Sequence, residues 1–167
     1  MPFILVFIFL SLLRADGGLL KVQWPKQSFK MQKSLKLPKN IKKRIDIVTL
    51  PVYLPRDYIY NRNIQIVSNP NFYTATIPLN GAKIMILGDR TYQKKIDTKD
   101  KKLVQKIKLL SQEYNIDEGI VATYFTKHGV NYSLTLECNN PTKDRRCKDK
   151  NFLEKVYKNL IIVGGKR

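Results

Sequence analysis

The chain has 167 residues, which fits one domain with extensions and leaves no room for two full domains. Apolar residues make up 43% and charged residues 26%, a balance that argues against a membrane-embedded bundle and against wholesale disorder. Lysine and arginine number 31 against 13 acids, a formal charge of +18, so the partners to look for are anionic.

The first predicted element is the apolar run Phe3 to Leu13. A membrane-spanning helix needs about 20 such residues, so this run is too short to cross a bilayer. It fits the hydrophobic part of a secretory signal, with small residues following at Ala15, Gly17 and Gly18. Residues 1–15 are therefore expected to be a signal peptide cleaved near Ala15, giving a periplasmic or secreted protein without a transmembrane segment. Two features depart from the pattern: no cation precedes the run, and Leu13 is bulky for the minus-three position. The competing expectation is a buried N-terminal strand or helix.

Residues 16–44 read as a basic, poorly ordered arm. Between Leu19 and Ile45 there are nine cations and no acid. Eight of them, Lys26, Lys30, Lys33, Lys36, Lys39, Lys42, Lys43 and Arg44, are the candidate anion-binding residues. Pro25 and Pro38 interrupt the stretch, and Trp24 and Phe29 are candidate anchors to the domain. Only four glutamates occur in the whole chain, so the charge is more than a codon-driven surplus of lysine. Lysines act as point charges without arginine's bidentate fork, which suits delocalised attraction better than shaped recognition. Smaller basic clusters, at residues 94–108 and 143–150, are diluted by aspartates.

Residues 45–167 are expected to form a single α+β domain. Ile45 to Leu54 is apolar and ends at Pro55-Arg56-Asp57, and Ile64 to Val67 is a short strand candidate. Phe72 to Leu87 is the clearest local signal: two β-branched and aromatic runs flank Asn80-Gly81, a favoured pair for a two-residue hairpin turn. Tyr73, Ala75, Ile77 and Leu79 share a face of the first strand, and Ile84 and Ile86 a face of the second. A helix is predicted next, starting at Asp97 or Thr98 and ending near Asn115, with the stripe Leu103, Ile107, Leu110 and Tyr114. A second hairpin spans Gly119 to Cys138, turning near Lys127-His128-Gly129. Its second strand alternates Val130, Tyr132, Leu134 and Leu136 with polar residues, as a strand wet on one face does. Asp149 caps a last helix with the stripe Phe152, Val156 and Leu160, and Leu160 to Val163 fits either a helical turn or a strand. The predicted architecture is an antiparallel sheet of four to six strands, built from two hairpins in hairpin-helix-hairpin-helix order, with two helices on one face.

Cys138 and Cys147 are the only cysteines, and in an oxidising compartment an even count favours a disulfide. A zinc site would need more ligands than two cysteines and the single histidine, His128, supply. No metal, cofactor or catalytic set is expected. His128 sits at a predicted hairpin tip, Asp117-Glu118 falls in a loop, and Asp89 beside Arg90 reads as a local ion pair. The expected function is that of an exported, non-catalytic binding or accessory protein, docking on an anionic envelope component or a protein partner. Nucleic acid is a further candidate anion, with no motif behind it. The alternative expectation is a small exported hydrolase or transferase with a dispersed site drawing on His128, Asp89 or Glu118.

Overall fold

The alternating runs on either side of Asn80-Gly81 form the middle of a sheet in the computed structural model, which describes residues 17–26, 35–93 and 113–167. The expected signal peptide, Phe29, Lys30 and Lys33 of the arm, and the predicted helix with its stripe Leu103, Ile107 and Leu110 lie outside the described residues.

In chain order the elements are β1 (Gly17–Leu19), α1 (Lys39–Ile45), β2 (Val52–Pro55), β3 (Gln65–Ser68), β4 (Phe72–Leu79) and β5 (Ala82–Asp89). They continue with β6 (Thr91–Gln93), β7 (Tyr114–Asp117), β8 (Ile120–Lys127), β9 (Val130–Cys138), α2 (Asn151–Lys158) and β10 (Leu160–Gly164). Six strands make one antiparallel sheet in the order β3-β4-β5-β9-β8-β7. Two short ribbons, β1-β6 and β2-β10, stand apart from it. The fold is α+β and mostly sheet.

The period of two in β4, β5 and β9 sends Tyr73, Ala75, Ile77, Ile84, Ile86, Leu134 and Leu136 to one face, where each is fully buried. Over that face lie the β2-β10 ribbon, α1 through Ile41 and Ile45, and α2 through Leu153 and Val156. Gly88 lies directly between Tyr73 and Tyr132 on the neighbouring strands. A Cβ at this glycine would stand 2.5 Å from the Tyr73 ring and 2.8 Å from that of Tyr132. Its bare backbone lets both rings lean across to β2. The Tyr73 hydroxyl accepts from the Tyr53 N–H at 2.8 Å, and the Tyr132 hydroxyl donates to the Pro51 carbonyl at 2.9 Å. A ribbon with one strand neighbour thereby has inward-facing backbone groups satisfied by side chains of the sheet below.

Four readings of the sequence are corrected. Tyr114 and Asn115, expected to end a helix, begin β7, because Glu118 and Gly119 at φ 43° and 86° reverse the chain and pair Tyr114–Asp117 with β8. Lys39–Arg44, expected to lie within a poorly ordered arm, belong to the helix Lys39–Ile45, since Ile41 and Ile45 stand four apart and both reach the core. Residues 17–26 are also held: β1 pairs with β6, and the Gln23 N–H donates to the His128 carbonyl at 2.9 Å. In the last helix the apolar stripe is Leu153 and Val156, with Leu160 passing into β10. At the first hairpin turn only Gly81 takes positive φ, 73°, while the Asn80 carbonyl accepts a 2.6 Å hydrogen bond from Arg146.

Cys138 and Cys147 are joined in a disulfide. Around it, residues 139–147 tie the two hairpins together at one end of the sheet. Asn139 donates to the Gly81 carbonyl, Cys138 donates to the Gly119 carbonyl, and Pro141 packs on Gly119.

Candidate anion-binding surface

Pro38 opens α1 by accepting from the Lys42 N–H at 3.0 Å, and no acid stands in the helix. With Ile41 and Ile45 turned to the core, the 3.6-residue period places Lys39 and Lys43 on the opposite side, with Lys42 and Arg44 on the two flanks; all four are exposed. Lys42, Lys43 and Arg44 occupy the last turn, where the partial negative charge of the helix end favours cations. Ion pairs among the described residues join Lys83 to Glu137, Arg146 to Asp144 and Lys158 to Glu154, so none neutralises the cations of α1. Arg44 borders a groove of about 290 Å³ lined also by Asn40, Ile41, Ile64, Gln65 and Ile66. The groove is half apolar and carries one charge, so its part in anion binding is that of an edge.

The other predicted site residues distribute unevenly. Lys36 is exposed just before α1, and Lys26 is exposed at the end of the 17–26 segment. Two glycines at the end of β10 bring these segments near one another. Gly164 packs on the Ile45 side chain, and Gly165 on the Trp24 ring and the Leu50 backbone. Trp24 is therefore an anchor, and the Arg167 guanidinium lies 5.7 Å from its ring centre. Two cations that sequence reasoning passed over, Lys166 and Arg167, join the same region because the Lys166 N–H donates to the Val48 carbonyl at 2.6 Å. Their only signal in the sequence is a basic pair at the chain end, which does not reveal what it folds against.

The residues considered for chemistry are not gathered. His128 is half-buried rather than loose at a hairpin tip. Its ring stacks on Tyr53 with centroids 6.3 Å apart, and burial, aided by the neighbouring Lys127, pushes its pKa below the ordinary imidazole value. Asp89 accepts from the Thr91 N–H at 2.7 Å, while Arg90 turns away to donate to the Thr49 hydroxyl at 2.8 Å; the expected ion pair between them is absent. Glu118 sits in the turn at the far end of β8 from His128, about 27 Å away at strand rise. Among the described residues no three of His, Cys, Asp and Glu gather as a metal site. A second concavity, about 370 Å³, is lined by Asp57, Tyr58, Phe152, Lys155, Val156, Lys158 and Asn159, and there Asn159 donates to Asp57 at 3.2 Å.

Among the described residues no helix is long and apolar enough to cross a membrane. No family model, no curated protein and no solved structure matches this chain, so its basic surface is read on its own chemistry.

Proposed function

We propose that this is an exported, non-catalytic binding or accessory protein whose basic surface docks on an anionic component of the cell envelope. The observation that carries the reading is α1, a helix fastened by two buried isoleucines whose exposed cations take part in no ion pair among the described residues. The disulfide and the apolar opening run support export. Lysine-rich attraction of this kind is electrostatic and spread over the surface, so salt governs it.

Vesicles containing phosphatidylglycerol test the reading. Binding is expected to fall at least tenfold between about 0.05 and 0.5 M NaCl. The triple variant Lys39→Ala, Lys42→Ala, Lys43→Ala should weaken it at low salt while leaving the thermal midpoint in place. Deleting the arm is the poorer experiment, because it removes most of α1 and with it Ile41 from the core. Binding that ignores salt, or none to anionic vesicles, rejects the proposal. Mass spectrometry of unreduced protein from its native compartment reports the mature N-terminus and the state of both cysteines.

A further inference from the structure

The six-stranded sheet has a second face, opposite the core, and its centre is uncharged. In register across five strands, one row reads Val67, Thr74, Leu87, Ser133 and Tyr124. The row beside it reads Gln65, Thr76, Met85, Thr135 and Ala122. None of these positions is charged in a chain where 26% of residues are. Val67, Tyr124 and Leu87 stand 66%, 54% and 38% exposed. Charge returns only at the rim, where Lys83 meets Glu137 at 2.9 Å at one end of the strands and Asp89 stands at the other. A neutral, partly apolar centre inside a charged rim is the anatomy of a protein interface.

The surface is also corrugated. In the first row larger side chains ride on β3, β5 and β8, as Val67, Leu87 and Tyr124, with Thr74 and Ser133 between them; in the second, Met85 of β5 stands between Thr76 and Thr135, and Ala122 of β8 is buried. We propose that this face joins two copies of the chain, stacked sheet on sheet about a two-fold axis that runs along the strands midway between β5 and β9. That operation lays β5 over β9 of the second copy and β8 over its β4. In the first row two of the three ridges then fall on grooves: Leu87 on Ser133 of the second copy, and Tyr124 on its Thr74. Height along the strands is kept, so Lys83 comes opposite Glu137 of the second copy and the reverse, closing a ring of two cations and two carboxylates. The twist of each sheet turns the stacked strands by about 30°, which preserves the match at the centre and loosens it at the edges.

Charge and area both bear on the choice of partner. Two chains of +18 repel, and a contact through an uncharged, self-complementary centre with a paired rim avoids setting cation against cation. Six strands at about 4.8 Å spacing and four rows along them give a patch of about 500 Å² per copy. The pair would bury about 1,000 Å², at the low end for specific interfaces, so a concentration-dependent dimer follows rather than an obligate one. The inference is independent of the anion-binding proposal, since α1 lies on the core side of the sheet and salt moves the two in opposite directions.

Sedimentation of the full chain over about 5–500 µM, at about 0.1 and 0.5 M NaCl, tests it. The expected result is a monomer–dimer equilibrium in which the dimer gains from both concentration and salt. Tyr124→Lys and Leu87→Lys, on different strands, should each weaken the dimer at least tenfold without moving the thermal midpoint of the dilute, monomeric chain. Lys83→Glu should weaken it, and adding Glu137→Lys should restore it. A chain monomeric at the highest concentration in the higher salt overturns the proposal, as does a dimer that survives both central substitutions. A monomer whose thermal midpoint drops on Tyr124→Lys and Leu87→Lys also overturns it, since the face would then be covered by the chain's own residues.

Discussion

A single hydroxyl shows how closely the layers depend on one another. Tyr73 is fully buried, and its oxygen accepts from the Tyr53 N–H while lying 3.3 Å from the Tyr53 carbonyl, to which it donates. Burial pushes its pKa far above the ordinary phenol value, so it stays a neutral donor and acceptor at any workable pH. Tyr73→Phe keeps the ring and strands two backbone groups of β2. The expected loss is about 1–3 kcal/mol, read by urea denaturation at unchanged slope. A loss below that range would mean that water reaches β2. Tyr73 was legible as a core residue from its place in the alternation, but what its oxygen touches was not, because Tyr53 lies 20 positions away in a run without periodicity.

At the scale of elements, the 139–147 segment is the connector. Its disulfide is accompanied by Arg146, which donates to Asp144 at 2.9 Å and to the Asn80 carbonyl, and whose guanidinium lies 5.9 Å from the Phe152 ring centre. The side-chain hydrogen bond from Arg146, with one from the Arg146 N–H, holds the Asp144 carboxyl at about 2. A depressed carboxylate contributes stability that is whole above the ordinary range near 4 and lost as pH falls through about 2. The thermal-midpoint gap between the parent and Asp144→Asn should therefore be constant above about pH 5 and close between about pH 4 and 2. A gap that persists at pH 2 would show that the carboxylate does not hold the segment. The disulfide was legible from an even cysteine count. The clasp around it was not, since Asn80 and Arg146 are 66 positions apart.

Over the whole molecule the charge is the dominant unbalanced quantity. A net +18 with three ion pairs among the described residues leaves most cations facing one another through solvent. Raising NaCl from about 0.02 to 0.3 M shortens the screening length from about 20 to 6 Å, and the thermal midpoint should rise by about 2–5 °C. Sodium chloride is the salt to use, because sulfate or phosphate would bind the basic surface and stabilise by occupancy. A flat or falling midpoint would mean that local pairing already balances the charge.

Strands β4, β5 and β9 could be read in order along the chain because each is long enough for its period of two to stand out, and β8 followed from the glycine turn that joins it to β9. Asp149, expected as the cap of α2, stands one position before it: Lys150 is the cap, and the Asp149 carboxylate accepts from the Asn151 N–H at 2.8 Å. Short elements defeated the pattern. Four residues at β2 are buried on every side, and four at β7 begin with a tyrosine that also fits a helical stripe. Six of the seven residues of α1 read as charged arm, because one isoleucine among five polar neighbours shows no period until Ile41 and Ile45 meet the core. Local sequence determined which residues alternate, which sulfurs pair and where cations concentrate, since those follow from neighbours in the chain. Tertiary packing alone decided that the cations would stand on an anchored helix and that the far face of the sheet would be left neutral, because both depend on contacts between residues remote in sequence.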